Sequence, residues 1–102
     1  MQHYTDKDGF GVIRSQPTWR FVAAQPPANH PFGAYFTTLG PDTLHLAKRL
    51  RIPRTKLGFR FEFTGHDGLE PLEGGRGAFI FLSRVDYLVE PPRQAFQGET
   101  GL

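Results

Sequence analysis

Hydrophobic and polar positions alternate most cleanly over residues 57–64, where Phe59, Phe61 and Phe63 fall on one face and Arg60, Glu62 and Thr64 on the other. Successive side chains of a strand point to opposite sides of its sheet, so this period predicts a half-buried strand. The same period runs through residues 18–23, with Trp19, Phe21 and Ala23 set against Thr18, Arg20 and Val22. It returns over residues 33–39, where it predicts that Tyr35 and Phe36 leave the strand on opposite faces, one ring to the core and one outward. Pro31 before that run and Gly40-Pro41 after it are turn punctuation. Residues 1–5 read as a first strand and residues 69–72 as a short edge. Residues 78–82 are uniformly apolar, as suits a strand buried on both faces. Residues 87–89 are predicted to pair beside it until Pro91-Pro92 breaks the run.

Helical spacing is rarer. Thr5 or Asp6 can cap a short helix through Arg14, with Phe10 and Ile13 three apart on one side, until Gln16-Pro17 ends it. A second helix is predicted from Asp42 to about Leu50, where Leu46 and Leu50 stand four apart and Leu44 and Ala47 three apart; Pro53 stops it. The proline-rich residues 25–31 read as an extended loop feeding the Tyr35 strand, a place for a lid or a substrate contact. Strands from both halves of the chain with two short helices predict an α+β fold in layers. Residues 97–102 look like a loose C-terminal tail.

Ten Phe, three Tyr and one Trp in 102 residues make the core aromatic, so a few large rings must supply most of the buried apolar area. The absence of Cys excludes disulfides, thiolate metal sites and a Cys nucleophile. Twelve basic against ten acidic residues leave a net charge of only +2. Lys48, Arg49, Arg51, Arg54 and Lys56 form one basic segment that could meet phosphates, although cations near a helix C-terminus are favoured by the helix dipole in any case. No apolar run approaches the roughly 20 residues that span a bilayer, and no secretory signal follows Met1, so the chain reads as soluble and free of membrane partners.

Common site chemistries lack their spacing. His3, His30, His45 and His66 have no metal-ligand arrangement. Gly74-Gly75-Arg76-Gly77 is a turn without the Lys-Ser/Thr helix of a phosphate loop. Ser15 and Ser83 lack a nucleophile-elbow context. Three distant pieces remain, each at a predicted strand end or strand centre: His3-Tyr4-Thr5, Gly33-Ala34-Tyr35-Phe36 and Asp86-Tyr87-Leu88-Val89. Taken singly, His3 is a strand-end residue, Tyr35 a packed ring and Asp86 a hairpin-turn residue.

In this order the three pieces resemble the ADP-ribosyltransferase superfamily, in the compact, toxin-like His-Tyr-Asp branch related to poly-ADP-ribose polymerases. His3-Tyr4-Thr5 is similar to the polymerases' His-Gly-Ser, Gly33-Ala34-Tyr35-Phe36 to Gly-x-Tyr-Phe, and Asp86-Tyr87-Leu88-Val89 to Glu-Tyr-Ile-Val. The resemblance implies a split β-sandwich of two small sheets over residues 1–96, with NAD as the substrate held between them. His3 would hydrogen-bond the adenine-side ribose, the Tyr4 backbone and the Thr5 hydroxyl would take the nicotinamide amide, and the Tyr35 ring would stack on it. Asp86 would be the catalytic acid, with Glu90 as the rival. Tyr4 stands where the polymerases have glycine, and Asp86 is one methylene shorter than Glu.

Cleavage of the nicotinamide–ribose bond develops positive charge on the sugar, and a fixed carboxylate nearby stabilises charge absent from the ground state. The implied activity is therefore mono-ADP-ribosyl transfer to a protein or nucleic-acid acceptor, with NAD hydrolysis or non-catalytic binding of NAD or ADP-ribose as alternatives. Members that modify Arg or Asn carry an acid two residues before the third-motif acid. Arg84 occupies that position, so a basic side chain is not the implied acceptor. An immunity or inhibitor protein is a further candidate partner. The resemblance fits either a cytoplasmic location or delivery into a target cell as part of a secreted toxin.

Overall fold

The computed structural model describes residues 1–26 and 30–102; part of the predicted loop over residues 25–31 lies outside the described residues. Among the described residues the strands are β1 (Gln2–Thr5), β2 (Trp19–Phe21), β3 (Ala34–Thr37), β4 (Phe59–Phe63), β5 (Glu70–Pro71), β6 (Ile80–Ser83), β7 (Tyr87–Val89) and β8 (Gln94–Glu99). The α-helices are α1 (Lys7–Arg14) and α2 (Leu46–Leu50). Six strands form an antiparallel sheet in the order β5-β6-β3-β1-β4-β8, and β2 and β7 form a two-stranded sheet of their own. The fold is α+β, with two sheets and two helices.

Two apolar layers hold it together. Phe36, Phe61 and Phe63 of the large sheet meet Trp19, Phe21, Tyr87 and Val89 of the small one, with Phe10 of α1 closing the end. On the opposite face Tyr4, Ile80 and Leu82 pack with Leu46, Leu50, Leu57 and Leu72. The rings of the first layer meet at tilted and edge-on angles, Phe21 against Phe36 at 5.2 Å and 87°. Aromatic quadrupoles favour such contacts over a face-to-face sandwich.

Local chemistry explains several elements. The Asp6 carboxylate accepts the Gly9 N–H at 2.9 Å and starts α1, as its capping position predicts. Gly9 weakens α1 on propensity, but a Cβ there would run into the Thr5 hydroxyl, so glycine lets the helix lie close on β1 without moving Thr5. Phe59, Phe61 and Phe63 share the predicted face, while Arg60 and Glu62 pair at 2.7 Å on the other.

Four expectations are corrected. The second helix is shorter than residues 42–50 because His45 enters it at φ 57°, in the left-handed region, which leaves Leu44 exposed ahead of the helix. The strand over residues 57–64 starts later, since Leu57 belongs to the 3-10 turn Arg54–Leu57. β7 does not neighbour β6: both edges of β6 are occupied, by β3 and β5, and β7 pairs with β2 instead. The C-terminal tail is not loose, because Gln97, Gly98 and Glu99 pair with Phe61, Arg60 and Phe59 on the free edge of β4. Among the described residues no helix is long and apolar enough to cross a membrane.

Candidate functional site

β1 and β3 are neighbours, yet their ladder consists of the single pair Gln2↔Thr37, whereas β1 and β4 share four pairs from Gln2↔Glu62 to Thr5↔Phe59. The strands thus splay from that pair. In the gap the His3 ring bridges the separated backbones, its Nδ1 lying 2.9 Å from the Tyr35 carbonyl oxygen. A carbonyl oxygen only accepts, so Nδ1 carries the hydrogen. Burial lowers the His3 pKa, against the smaller opposing effect of the Tyr35 bond, and Nε2 of the neutral ring is an acceptor with no hydrogen bond to it among the described residues.

A cavity of about 390 Å3 opens over this gap, and its walls include His3, Tyr4, Tyr35, His30, Arg51 and Arg76. The volume is in the range of small-molecule sites. Gln2, Thr37, Phe36 and Ile80 line it from the sheet, while Leu50, Ile52 and Pro53 close it from the end of α2. Its described walls hold two arginines and no carboxylate.

Tyr35 lines the cavity, and its hydroxyl donates to the Pro31 carbonyl, tying down the residue that leads into β3. Burial raises its pKa, so the hydroxyl stays protonated at neutral pH. The Tyr4 hydroxyl donates to the Leu39 carbonyl at 2.8 Å, and burial pushes its pKa up to about 12. The side chain of Tyr4 is thus a wall whose polar end is already engaged.

Thr5 and Asp86 stand apart from this cavity. Thr5 is buried under the first turn of α1, next to Gly9. Asp86 belongs to the turn before β7, where Oδ2 accepts from Arg20 Nη2 at 2.6 Å and Oδ1 accepts the Ala23 N–H at 2.9 Å. The backbone bond, then the Arg20 bond, holds the Asp86 carboxyl below its ordinary pKa. Glu90 accepts from the Thr18 hydroxyl at 2.9 Å, and it too is outside the cavity walls. His3, Tyr4 and Tyr35 are therefore brought to one cavity, and Asp86 lies in the layer formed by β2 and β7. His3 connects the two regions, since its ring packs on Phe21 of β2 at 4.7 Å.

Arg51 and Arg76 were not singled out by the motif pattern. Arg51 ends α2 at φ 56°, a left-handed cap more often filled by glycine, and this turn directs the chain into the cavity wall. Arg76 comes from the turn over residues 74–77, and its Nη2 donates to the Leu50 carbonyl at 2.8 Å and the Arg49 carbonyl at 3.2 Å. Those carbonyls lie at the negative end of α2, so Arg76 is anchored where a cation is favoured. The basic composition of residues 48–56 was the only signal in the sequence for Arg51. Comparisons with protein-family models, with curated proteins and with solved structures found no match to this chain.

Proposed function

We propose that this domain binds NAD in the cavity beside His3 and Tyr35 and cleaves its nicotinamide–ribose bond, passing ADP-ribose to a macromolecular acceptor. The observation that carries the reading is the His3–Tyr35 bond across the splayed strands, with both residues lining one cavity whose walls also hold two arginines. On this reading the fold is a split sandwich of the ADP-ribosyltransferase type, its two sheets being the six-stranded and two-stranded ones.

The neutral His3 accepts a ribose hydroxyl at Nε2, and the Tyr35 ring offers its face to the nicotinamide. Arg51 and Arg76 face the pyrophosphate, for which guanidinium groups are well matched. In the reaction the C–N bond to nicotinamide breaks, its electron pair leaves with the nicotinamide nitrogen, and the sugar becomes an oxocarbenium ion that the acceptor captures. Asp86 is the candidate carboxylate for that cation. Asp86 lies outside the described cavity walls, so on this reading the nicotinamide-side ribose extends from the cavity toward the turn before β7, where the exposed Arg20 pairing is of the kind that contributes little to stability. With water as acceptor the same site is an NAD glycohydrolase.

A second reading rests on a specific observation: among the described residues no carboxylate lines the cavity, and Asp86 is paired with Arg20 and Ala23. It is a module that binds NAD or ADP-ribose without cleaving it. Calorimetric titration with NAD tests the shared part of both readings. Saturable binding that weakens in His3→Ala and Tyr35→Ala is expected, and absence of binding by the folded wild-type domain would overturn both.

A further inference from the structure

The cavity continues outward into a second concavity. An open groove of about 510 Å3 shares Arg51 and Arg76 with the cavity wall and adds Leu44, Lys48, Arg49 and Phe79. Four of these residues are cationic, none of the described lining residues is acidic, and among the described residues none of the four cations is in a salt bridge. The overall charge of the chain is only +2, so this concentration is local rather than a reflection of general basicity.

Arg51 and Arg76 repel one another, and the Arg76 Nε is buried without a hydrogen-bond partner. Two guanidinium groups held together at the junction of two concavities, with no carboxylate between them, are complementary to phosphate. Apolar surface accompanies the charge: Leu44 is 80% exposed, and the half-buried Phe79 ring carries the Arg49 guanidinium over it at 5.2 Å. Four cations around one aromatic ring, with the Arg49 guanidinium itself a planar stacking surface, suit a phosphate backbone whose bases stack on the Arg49–Phe79 pair.

We infer that this groove binds single-stranded nucleic acid and that the bound strand is the acceptor of the ADP-ribose. The acceptor half of the inference rests on the proposed NAD reading. A strand lying over Lys48 and Arg49 reaches the cavity mouth at Arg51 and Arg76, so a hydroxyl oxygen or base nitrogen can be presented to the sugar. That atom forms the new bond to the anomeric carbon as the bond to nicotinamide breaks; the electron pair goes to nicotinamide, and the proton of the acceptor atom passes to solvent.

The test uses the whole chain and labelled single-stranded RNA and DNA probes of about 12 nucleotides, a length spanning typical single-strand sites. Fluorescence anisotropy should show binding that weakens with salt. The double variant Lys48→Ala/Arg49→Ala, which leaves Arg51 and Arg76 in place, should bind at least roughly tenfold more weakly and lower the log–log salt slope by about 1.4, two contacts at about 0.7 each. Its NAD affinity should stay at the wild-type value, which also reports that it is folded. The control Lys7→Ala/Arg14→Ala removes two charges from α1 and should bind like wild type.

Absence of probe binding, or equal weakening in the two double variants, would overturn the inference. Radiolabelled NAD is then supplied with the probes and with a mixture of cell proteins. Label on the nucleic acid, lost in Lys48→Ala/Arg49→Ala, supports the acceptor assignment; label on protein alone, or no label on a bound strand, overturns it. NAD titration and nicotinamide release measured on the same samples show separately whether NAD binding or NAD cleavage has failed.

Discussion

His3 donates from Nδ1 to the carbonyl oxygen of Tyr35 at 2.9 Å, across two strands whose ladder is one residue pair long. The bond fixes the tautomer of a ring that burial keeps neutral, and it joins the first two elements of the His-Tyr-Asp pattern at one cavity. Replacing His3 with Ala removes the Nε2 acceptor and leaves the Tyr35 carbonyl unpaired. NAD affinity should fall by about tenfold, the scale of one lost hydrogen bond, as read by calorimetric titration.

The same bond makes a prediction about pH. The folded His3 pKa lies below the ordinary value of 6.5, so below 6.5 the unfolded chain binds a proton that the folded chain does not. Stability should therefore fall as pH drops from 6.5 toward the folded pKa. Asp86, whose folded pKa lies below 3.8, contributes stability above that value that is lost as pH falls further. Urea melts between pH 7 and pH 5, on the order of the His3 window, should weaken in wild type and flatten in His3→Gln; an unchanged slope would refute the neutral buried ring.

Asp86 and Arg20 separate a catalytic role from a structural one. As partners in a salt bridge at 2.6 Å they should lose that bond equally when either is truncated. If Asp86 stabilises the oxocarbenium ion, Asp86→Asn should lower nicotinamide release by about a hundredfold or more with NAD affinity nearly unchanged. Arg20→Ala, which frees the carboxylate, should retain activity. Equal losses in the two variants would mark the pair as a structural tie between β2 and the turn before β7.

Gly33, the first residue of the Gly-x-Tyr-Phe piece, exchanges both backbone hydrogen bonds with Ala24. A Cβ on it would stand 2.7 Å from the Ser83 carbonyl oxygen, which is backbone and cannot turn aside. Gly33→Ala should destabilise the domain by about 1–3 kcal/mol, the usual cost of forced overpacking. Urea unfolding followed by the fluorescence of Trp19 measures it.

Which faces are buried was legible in the sequence, because period two assigns Phe59, Phe61 and Phe63 to one layer and puts Tyr35 and Phe36 on opposite sides. The Asp6 cap was legible for the same local reason. Which edges pair was not: alternation is blind to neighbours, and β7 reads the same beside β6 or β2. Their terminal position makes residues 97–102 look loose, but pairing there follows from an open edge on β4, a property of the assembled sheet. Arg51 and Arg76 reach the cavity through a left-handed cap and a glycine-rich turn, and no spacing rule connects them.

The central claim is tested most directly by nicotinamide release from NAD by the purified domain, with labelled NAD present to catch transfer. Release by wild type, its near-abolition in Asp86→Asn and its survival in Arg20→Ala are the results predicted. NAD binding at the His3–Tyr35 cavity without release would contradict the catalytic claim and leave a non-catalytic NAD-binding module.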